Sequence, residues 1–335
     1  MLALSSLMLV LQILLTNNDE LLFTFNLKYS SKNHHEFYSD VDVAIGNNTI
    51  FVLDIGNKRV LGLDSNYNTI LSFGKEGNGP GELNMITNLI LTEHRLIVNG
   101  FSKQIFDFKG EYLGQINYLS SVGLIEENGK LVLLLESDIS GHFNPLYFDL
   151  EGKDIGNQLA AHQGGYVSSR KKNSESELKI RHVEKLNNSY IIQYFGRYMF
   201  GITTNGTTTL YNRIYERKKY ETYDDLVFAI DNGQILTKEL YGEALEMYKK
   251  KFGEYRDDIS GIIGTISNCI LILTSSNNQK FLKFDMINLT TRTYREFKYK
   301  FEDKVKRVKL FKDQMIVSFL SDETGPYFNI YKIEI

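Results

Sequence analysis

One stretch of the chain decides its predicted fold: Ile105-Phe-Asp-Phe-Lys-Gly-Glu-Tyr-Leu-Gly114. The stretch recurs, nearly position for position, as Tyr147-Phe-Asp-Leu-Glu-Gly-Lys-Asp-Ile-Gly156. Alternating apolar residues place every second side chain on one face of a strand, and Lys-Gly or Glu-Gly between two such runs is typical of a hairpin turn. Each copy therefore predicts a strand, its turn and the start of a further strand.

Shorter copies of the same pattern recur along the whole chain. Most of them are spaced by about 42 to 52 residues, the period of four-stranded blades around a propeller axis. The copies are Leu61-Gly-Leu63, Phe106-Asp-Phe108, Phe148-Asp-Leu150, Phe200-Gly-Ile202, Phe284-Asp-Met286 and Phe328-Asn-Ile330. An apolar run before each copy predicts the preceding strand: Thr49–Leu53, Arg95–Val98, Leu131–Leu135, Tyr190–Tyr194, Ile270–Leu273 and Met315–Phe319. The predicted fold is all-β, a six-bladed β-propeller.

One interval, from Phe200 to Phe284, is about twice the repeat period. Apolar residues in its middle fall at helical spacing, with charged residues between them. The pattern predicts a helical insertion over residues 237–258, before blade five. A degenerate seventh blade in the same interval is the alternative that the sequence leaves open.

The two ends of the chain predict how the propeller closes. Residues from Val308 to Ile335 supply only three strands, whereas Leu21–Leu27 is an alternating strand without a blade. We expect this N-terminal strand to complete the last blade, because an open blade edge invites aggregation. Residues 17–335 are then a single propeller.

The first residues, from Met1 to Leu15, form an uncharged apolar stretch of the length typical of a signal peptide. We expect residues 1–16 to be a signal or apolar N-terminal segment and the protein to be exported to the periplasm or cell envelope, with no membrane span after processing. No Lys or Arg precedes the stretch and no Ala-x-Ala cleavage pattern follows it. An N-terminal segment packed on the propeller is therefore the alternative.

Composition excludes several function classes. The formal net charge of -3 gives no driving force for binding phosphate backbones, so we expect no nucleic-acid partner. Apolar residues make up 42% of the chain, enough for a sizeable core. Cys269 is the single cysteine, which excludes an intrachain disulfide, and it lies in an apolar run where a thiol acts as a small hydrophobic group.

A family resemblance rests on three features near the N-terminus: the apolar pair before Asp54, the turn Asn57-Lys-Arg-Val60, and the exit Phe73-Gly-Lys-Glu-Gly-Asn-Gly-Pro-Gly-Glu82. Together with Val41-Asp-Val-Ala-Ile-Gly46 they resemble an NHL repeat. The whole-chain layout is similar to a bacterial family of six-bladed β-propeller proteins, many of them exported. The resemblance implies a fold and a cell-envelope location, and it implies no established activity.

Catalytic motifs are absent from the sequence. The Gly-rich run from Gly74 to Gly81 lacks the Gly-Lys-Ser/Thr ending of a phosphate-binding loop, so it is interpreted as a turn between blades. None of the six histidines forms a metal-ligating pair, and we expect no catalytic residue, metal or cofactor. The alternative is a metal-dependent lyase or hydrolase with a site in the axial tunnel, built from His94, His142 and His182. NHL-type proteins include a peptide-amidating lyase with such a converging site.

In a propeller, the loops that join second to third strands emerge on one face. We therefore predict a binding rim whose candidate residues are Arg197, Tyr198, Lys103, His142, Asn144, Asn57 and Gln279. Arg197 and Tyr198 are the predicted anchor, because a planar cation beside an aromatic ring suits recognition of sugars, carboxylates or phosphates. The expected function is a monomeric, non-catalytic binding protein for a glycan, peptide or protein ligand.

Overall fold

A computed structural model describes residues 10–19, 22–32, 34, 36–118, 121, 123–136, 143–155, 180–186, 189–194, 198–204, 207–214, 246, 259–274 and 279–335. In these ranges the chain has 24 strands in five sheets, so the predicted all-β class is confirmed. Within the predicted helical insertion, residues 237–258, the structure describes Glu246, whose backbone is helical and whose side chain is exposed. The rest of the insertion lies outside the described residues, as does most of the segment that would form a seventh blade.

Three short strands come first in the chain: β1 (Val10–Leu14), β2 (Thr16–Asn17) and β3 (Thr24–Ser30). They are followed by the first sheet, with strands in chain order: β4 (Val41–Gly46), β5 (Thr49–Asp54), β6 (Arg59–Leu63) and β7 (Thr69–Phe73). The second sheet repeats this plan with β8 (Asn88–Leu91), β9 (Leu96–Asn99), β10 (Lys103–Phe106) and β11 (Tyr112–Ile116). Neighbouring strands in both sheets are antiparallel.

The third sheet has three described strands, β12 (Gly123–Glu127), β13 (Lys130–Glu136) and β14 (Phe143–Phe148). The fourth contains β15 (Ile180–Leu186), β16 (Ser189–Tyr194), β17 (Met199–Thr204) and β18 (Thr207–Asn212). β1 pairs in parallel with β18 at its edge.

The fifth sheet is the largest. It contains β19 (Gly261–Ile266), β20 (Cys269–Leu273), β21 (Gln279–Asn288), β22 (Thr293–Phe311), β23 (Gln314–Ser321) and β24 (Gly325–Glu334). β22 is 19 residues long and pairs mainly along its first half with β21 and along its second half with β23. β2 adds a short parallel contact to β22, at Thr16 and Asn17.

The two chain ends meet in the fifth sheet. β3 pairs antiparallel with β24, so Thr24 lies opposite Glu334 and Ser30 opposite Asn329. The prediction that the N-terminal strand lies beside the final strands is confirmed. The closed six-bladed propeller is not shown, because none of the five sheets closes on itself and the unbroken strand β22 merges the two last predicted units into one sheet.

The hydrophobic core lies between successive sheets because the side chains of each strand alternate between its two faces. In β5, Ile50 and Val52 pack towards β23 and β24 of the fifth sheet, whereas Phe51 and Leu53 pack towards the second sheet. Further clusters join the second sheet to the third, the third to the fourth, and the fourth to the fifth. Full burial of each such side chain contributes about 1.5–3 kcal/mol to stability.

Candidate functional site

A Gly-rich loop between β7 and β8 forms one wall of a surface groove. Its base is Leu83, which is fully buried and whose N–H donates to the Lys75 carbonyl at 2.7 Å. The Gly79 N–H donates to Glu82 Oε2 at 2.8 Å, and the Glu82 N–H donates back to the Gly79 carbonyl at 3.0 Å. The loop therefore connects two sheets, as interpreted from its sequence, and its own hydrogen bonds fix its shape.

The opposite wall is the turn between β9 and β10. The Phe101 N–H donates to the Asn84 carbonyl at 3.3 Å, which ties this turn to the Gly-rich loop. Gly100 allows the approach, because a Cβ at this position would lie 2.8 Å from the same carbonyl oxygen. The ring of Phe101 is 54% exposed.

The groove between these walls has a volume of about 490 Å³, within the usual range for small-molecule sites. Its lining is Gly77, Asn78, Glu82, Asn84, Met85, Ile86, Phe101, Ser102, Gln104, Gln115 and Asn117. Glu82 is the one formally charged residue in this set, and Lys75 Nζ lies 3.1 Å from its carboxylate. The Gly79 N–H and Lys75 hold the pKa of Glu82 below its ordinary value.

Gln104 organises the floor of the groove. Its side chain is buried, and its Oε1 accepts a hydrogen bond from the Gly81 N–H at 3.2 Å. Its Nε2 donates to Ser102 Oγ at 2.7 Å and to Gln115 Oε1 at 2.9 Å. One buried amide thus positions the loop, the turn and the edge strand β11 relative to one another.

Other amides around the groove keep hydrogen-bonding capacity for a ligand. Asn84 Nδ2 donates to Asn78 Oδ1 at 2.7 Å. Within the described part of the chain, this leaves Asn78 Nδ2, Asn84 Oδ1 and Gln115 Nε2 without protein partners. The groove therefore presents both donors and acceptors.

A second polar cluster joins Glu93, His94 and Glu126, whose ligand atoms lie within 4.8 Å of one another. Glu126 is buried; its Oε2 accepts from the Thr92 hydroxyl at 2.7 Å and from the His94 N–H at 3.0 Å. Its Oε1 lies 2.5 Å from His94 Nδ1. These bonds attach the turn between β8 and β9 to β12, so the cluster is accounted for as a link between sheets.

The predicted histidine site is not assembled by the described residues. His182 lies exposed on β15, and His142 lies outside the described residues. His94 is held by Glu126, as above.

Among the predicted rim residues, Asn57 is exposed and serves its own turn. Asn57 Nδ2 donates to Asp54 Oδ2 at 2.7 Å, and Arg59 Nε donates to the same oxygen at 3.0 Å. Asp54 is fully buried, so these bonds compensate for the burial of its charge. The Asn-Lys-Arg turn is therefore explained by local hydrogen bonding.

Lys103 and Tyr198 are buried, at 1% and 3% exposure, so neither side chain stands on a rim. Lys103 is the first residue of β10 and its amine has a partner in the interior: its Nζ donates to the Tyr118 carbonyl at 2.6 Å, and burial lowers its pKa to about 8. Tyr198 packs against Arg213, whose guanidinium carbon lies 4.8 Å from the ring centre.

Two other predicted residues, Asn144 and Gln279, are described by their backbone alone, which pairs with Leu135 and Val305. Arg197 and His142 lie outside the described residues. Sequence reasoning missed the groove, which gathers residues from the β7–β8 loop, the β9–β10 turn, strands β10 and β11, and the residue after β11.

Arg213 and Asp285 form a buried ion pair between the fourth and fifth sheets. Arg213 Nε lies 3.0 Å from Asp285 Oδ2, with the Arg213 side chain 6% exposed and that of Asp285 fully buried. The rings of Tyr198 and Tyr294 lie 4.8 Å and 4.5 Å from the guanidinium carbon. Burial raises the pKa of Asp285 to about 6, although Arg213 and the Tyr198 hydroxyl act to lower it.

Comparison with solved structures shows the fold alone. One similar structure is a protein from Bacteroides fragilis NCTC 9343 that is named as a predicted exported protein. It is 11% identical to this chain, and the match covers 98% of this chain and 99% of that protein with a TM-score of 0.58. A member of the DUF4221 family from Bacteroides vulgatus is 11% identical over 93% of this chain and 98% of its own, with a TM-score of 0.55. No family model and no curated protein matches the chain.

These comparisons correct the resemblance to NHL-repeat proteins, which was wrong. No family model matches the residues that carried the resemblance, and the similar structures belong elsewhere. The physical reason is that the residues of the Asn57 turn and of the Gly-rich exit form hydrogen bonds within their own turns. Turns of this kind occur in many protein families. Among the described residues, no helix has the length and apolarity needed to cross a membrane.

Proposed function

We propose that this protein is an exported, non-catalytic binding protein whose ligand lies in the groove between the Gly-rich loop and the β9–β10 turn. The supporting observation is that the groove is polar, about 490 Å³ in volume and formed by hydrogen-bonded walls. A preformed site binds with a smaller loss of conformational entropy than a site that must be ordered first. A groove of this volume and polarity is expected to bind a small polar molecule.

Export is supported by the apolar stretch from Leu2 to Leu15 and by the name of the Bacteroides fragilis protein of similar fold. Cleavage after residue 16 would remove β1, which pairs with β18 in this structure. We expect cell fractionation to find the protein outside the cytoplasm, and N-terminal sequencing to show where the mature chain begins. An intact Met1 on a cytoplasmic protein would contradict export.

We also propose that the sheets form a ring of six blades that the N-terminal strand closes. It is supported by the order in which the core clusters join the sheets, which returns from the fifth sheet to the first. Lys309 on β22 adds support, because its Nζ donates to Asp42 on β4 at 2.6 Å and to the Leu89 carbonyl on β8 at 3.2 Å.

Filling the groove tests the proposed site. Ser102→Trp places a large side chain between the two walls, and we expect it to weaken binding of any groove ligand at least about tenfold, since the ligand must be displaced. Unfolding stability should fall by about 0.5–1.5 kcal/mol, because the substitution also removes the hydrogen bond from Gln104 Nε2 to Ser102 Oγ. Thermal-shift screening of wild type against sugars, peptides and nucleotides would supply the ligands, and calorimetry would measure their affinities.

The matched control is Ser65→Trp, at an exposed position in the turn between β6 and β7. This variant should bind every ligand as wild type does. Ligands that bind Ser102→Trp and wild type equally well would overturn the assignment of the groove.

A further inference from the structure

We infer that the groove ligand is a neutral carbohydrate, with its ring packed on Phe101 and its hydroxyl groups bonded to the surrounding amides; this inference rests on the proposed function of the groove. The observation that supports this inference is an exposed aromatic ring that lies beside several uncharged amide side chains.

The amides match hydroxyl groups. A sugar hydroxyl donates one hydrogen bond and accepts others, and a carboxamide offers a donor and an acceptor about as far apart as neighbouring hydroxyls on a sugar ring. Asn78 Nδ2 and Gln115 Nε2 supply donors, and Asn84 Oδ1 supplies an acceptor, none of them engaged by described protein groups. Gln104 fixes Gln115 through the 2.9 Å bond to its Oε1, so the donor nitrogen has a set direction.

Phe101 supplies an apolar surface. Its ring is 54% exposed and makes no ring contact within the described part of the chain. Its backbone is nonetheless anchored to the Asn84 carbonyl. A flat aromatic surface fits the C–H face of a sugar ring, and burying it there removes apolar area from water. Next to it, Met85 is 66% exposed and holds a left-handed φ of 46°, a conformation found more often at functional sites than elsewhere for such side chains.

Charge disfavours an anionic ligand. No Lys or Arg belongs to the described lining, and its one charged residue, Glu82, is an acid that is paired with Lys75 outside the lining. Binding sites for carboxylates and phosphates use Arg or Lys, which offer charge-assisted hydrogen bonds. A sulfated sugar, a nucleotide or an acidic peptide would lack these partners here.

The test uses the full-length protein and a panel of neutral hexasaccharides with glucose, mannose, xylose and N-acetylglucosamine units, measured by calorimetry. At least one sugar should bind wild type, and Phe101→Ala should weaken that binding about tenfold, a loss typical of a buried aromatic contact. Phe101→Tyr should retain it, because the ring surface is preserved. Tyr38→Ala removes an exposed ring elsewhere, on a side chain that is 69% exposed, and should bind as wild type does.

The comparison ligands are a heparin hexasaccharide, a nucleotide and a tripeptide. Binding of any of these that is lost in Ser102→Trp, together with no binding of neutral sugars, would overturn the carbohydrate inference while leaving the groove as the site. Sugar binding that is unaffected by both Phe101→Ala and Ser102→Trp would overturn the inference and the proposed site together.

Discussion

Removal of residues 1–30 is expected to abolish the cooperative unfolding of the whole protein. The deletion takes away β3, which pairs with β24, and Phe23, which is 4% exposed and packs edge-on against Phe284 at 5.0 Å. Loss of one buried Phe side chain costs about 3–5 kcal/mol, and the entire stability of a domain is about 5–15 kcal/mol. Urea unfolding followed by circular dichroism and by tyrosine fluorescence would measure the change.

A shorter deletion, of residues 1–21, is the control, because it keeps β3 and removes β1 and β2. It should lose less stability than the longer deletion. A synthetic peptide of residues 22–31 added to the longer deletion should restore folding, since strand addition would rebuild the sheet edge. If both deletions melted like wild type, the role given to β3 would be wrong.

Arg213→Met is expected to cost about 3–5 kcal/mol of stability, because it leaves the Asp285 carboxylate buried without its cation. The double variant Arg213→Met with Asp285→Leu should recover much of the loss, since replacement of both charges by apolar groups removes the desolvation penalty. Lys300→Met, at an exposed position on β22, is the control and should change stability by less than about 0.5 kcal/mol. Urea unfolding measures all three.

The same pair gives a pH dependence with a defined sign. Burial raises the pKa of Asp285 to about 6 from an ordinary value of 3.8, so its folded form binds a proton more tightly than its unfolded form. The stability contributed by protonated Asp285 is therefore complete below about pH 4 and is lost as pH rises through about 6. Without Arg213 the folded pKa rises further, so the cost of Arg213→Met should be larger at pH 8 than at pH 5. An equal cost at both pH values would contradict an ionised Asp285 as the reason.

Sequence reasoning predicted the strands well because burial on both faces leaves a continuous apolar run. The run Ile270–Leu273 corresponds to β20, and Met315–Phe319 lies within β23. It predicted a strand beginning at Val308, but it did not predict that this strand continues back to Thr293 as one strand, β22, of 19 residues, in which many charged residues alternate with aromatic and aliphatic ones. Strand continuity depends on the partners on each side, β21 and β23, and no local pattern shows where one partner replaces the other.

The candidate site was harder to predict than the fold. Lys103 was assigned to an exposed rim, yet its long stem lets it begin a buried strand while its amine reaches the Tyr118 carbonyl. The groove residues were separated by up to 40 positions, from Gly77 to Asn117, and each one alone suits an ordinary turn. A local excess of Asn and Gln between these positions was the available signal, and it acquires meaning only when Gln104 is seen to connect three segments.

The pairing of β3 with β24 also determines when the fifth sheet can form during synthesis of the chain. Thr24 is synthesised 310 residues before its partner Glu334, so the fifth sheet can be completed only after β24 has been made. At about 5–20 residues per second, roughly 15–60 seconds separate the appearance of the two strands. Throughout that interval β3 cannot pair with β24, so its apolar face lacks the strand that would help to bury it. Contacts of such long sequence separation also form slowly. We therefore expect the newly made chain to depend on chaperones until β24 is made, and an incompletely folded chain of this kind can still be transported across a membrane.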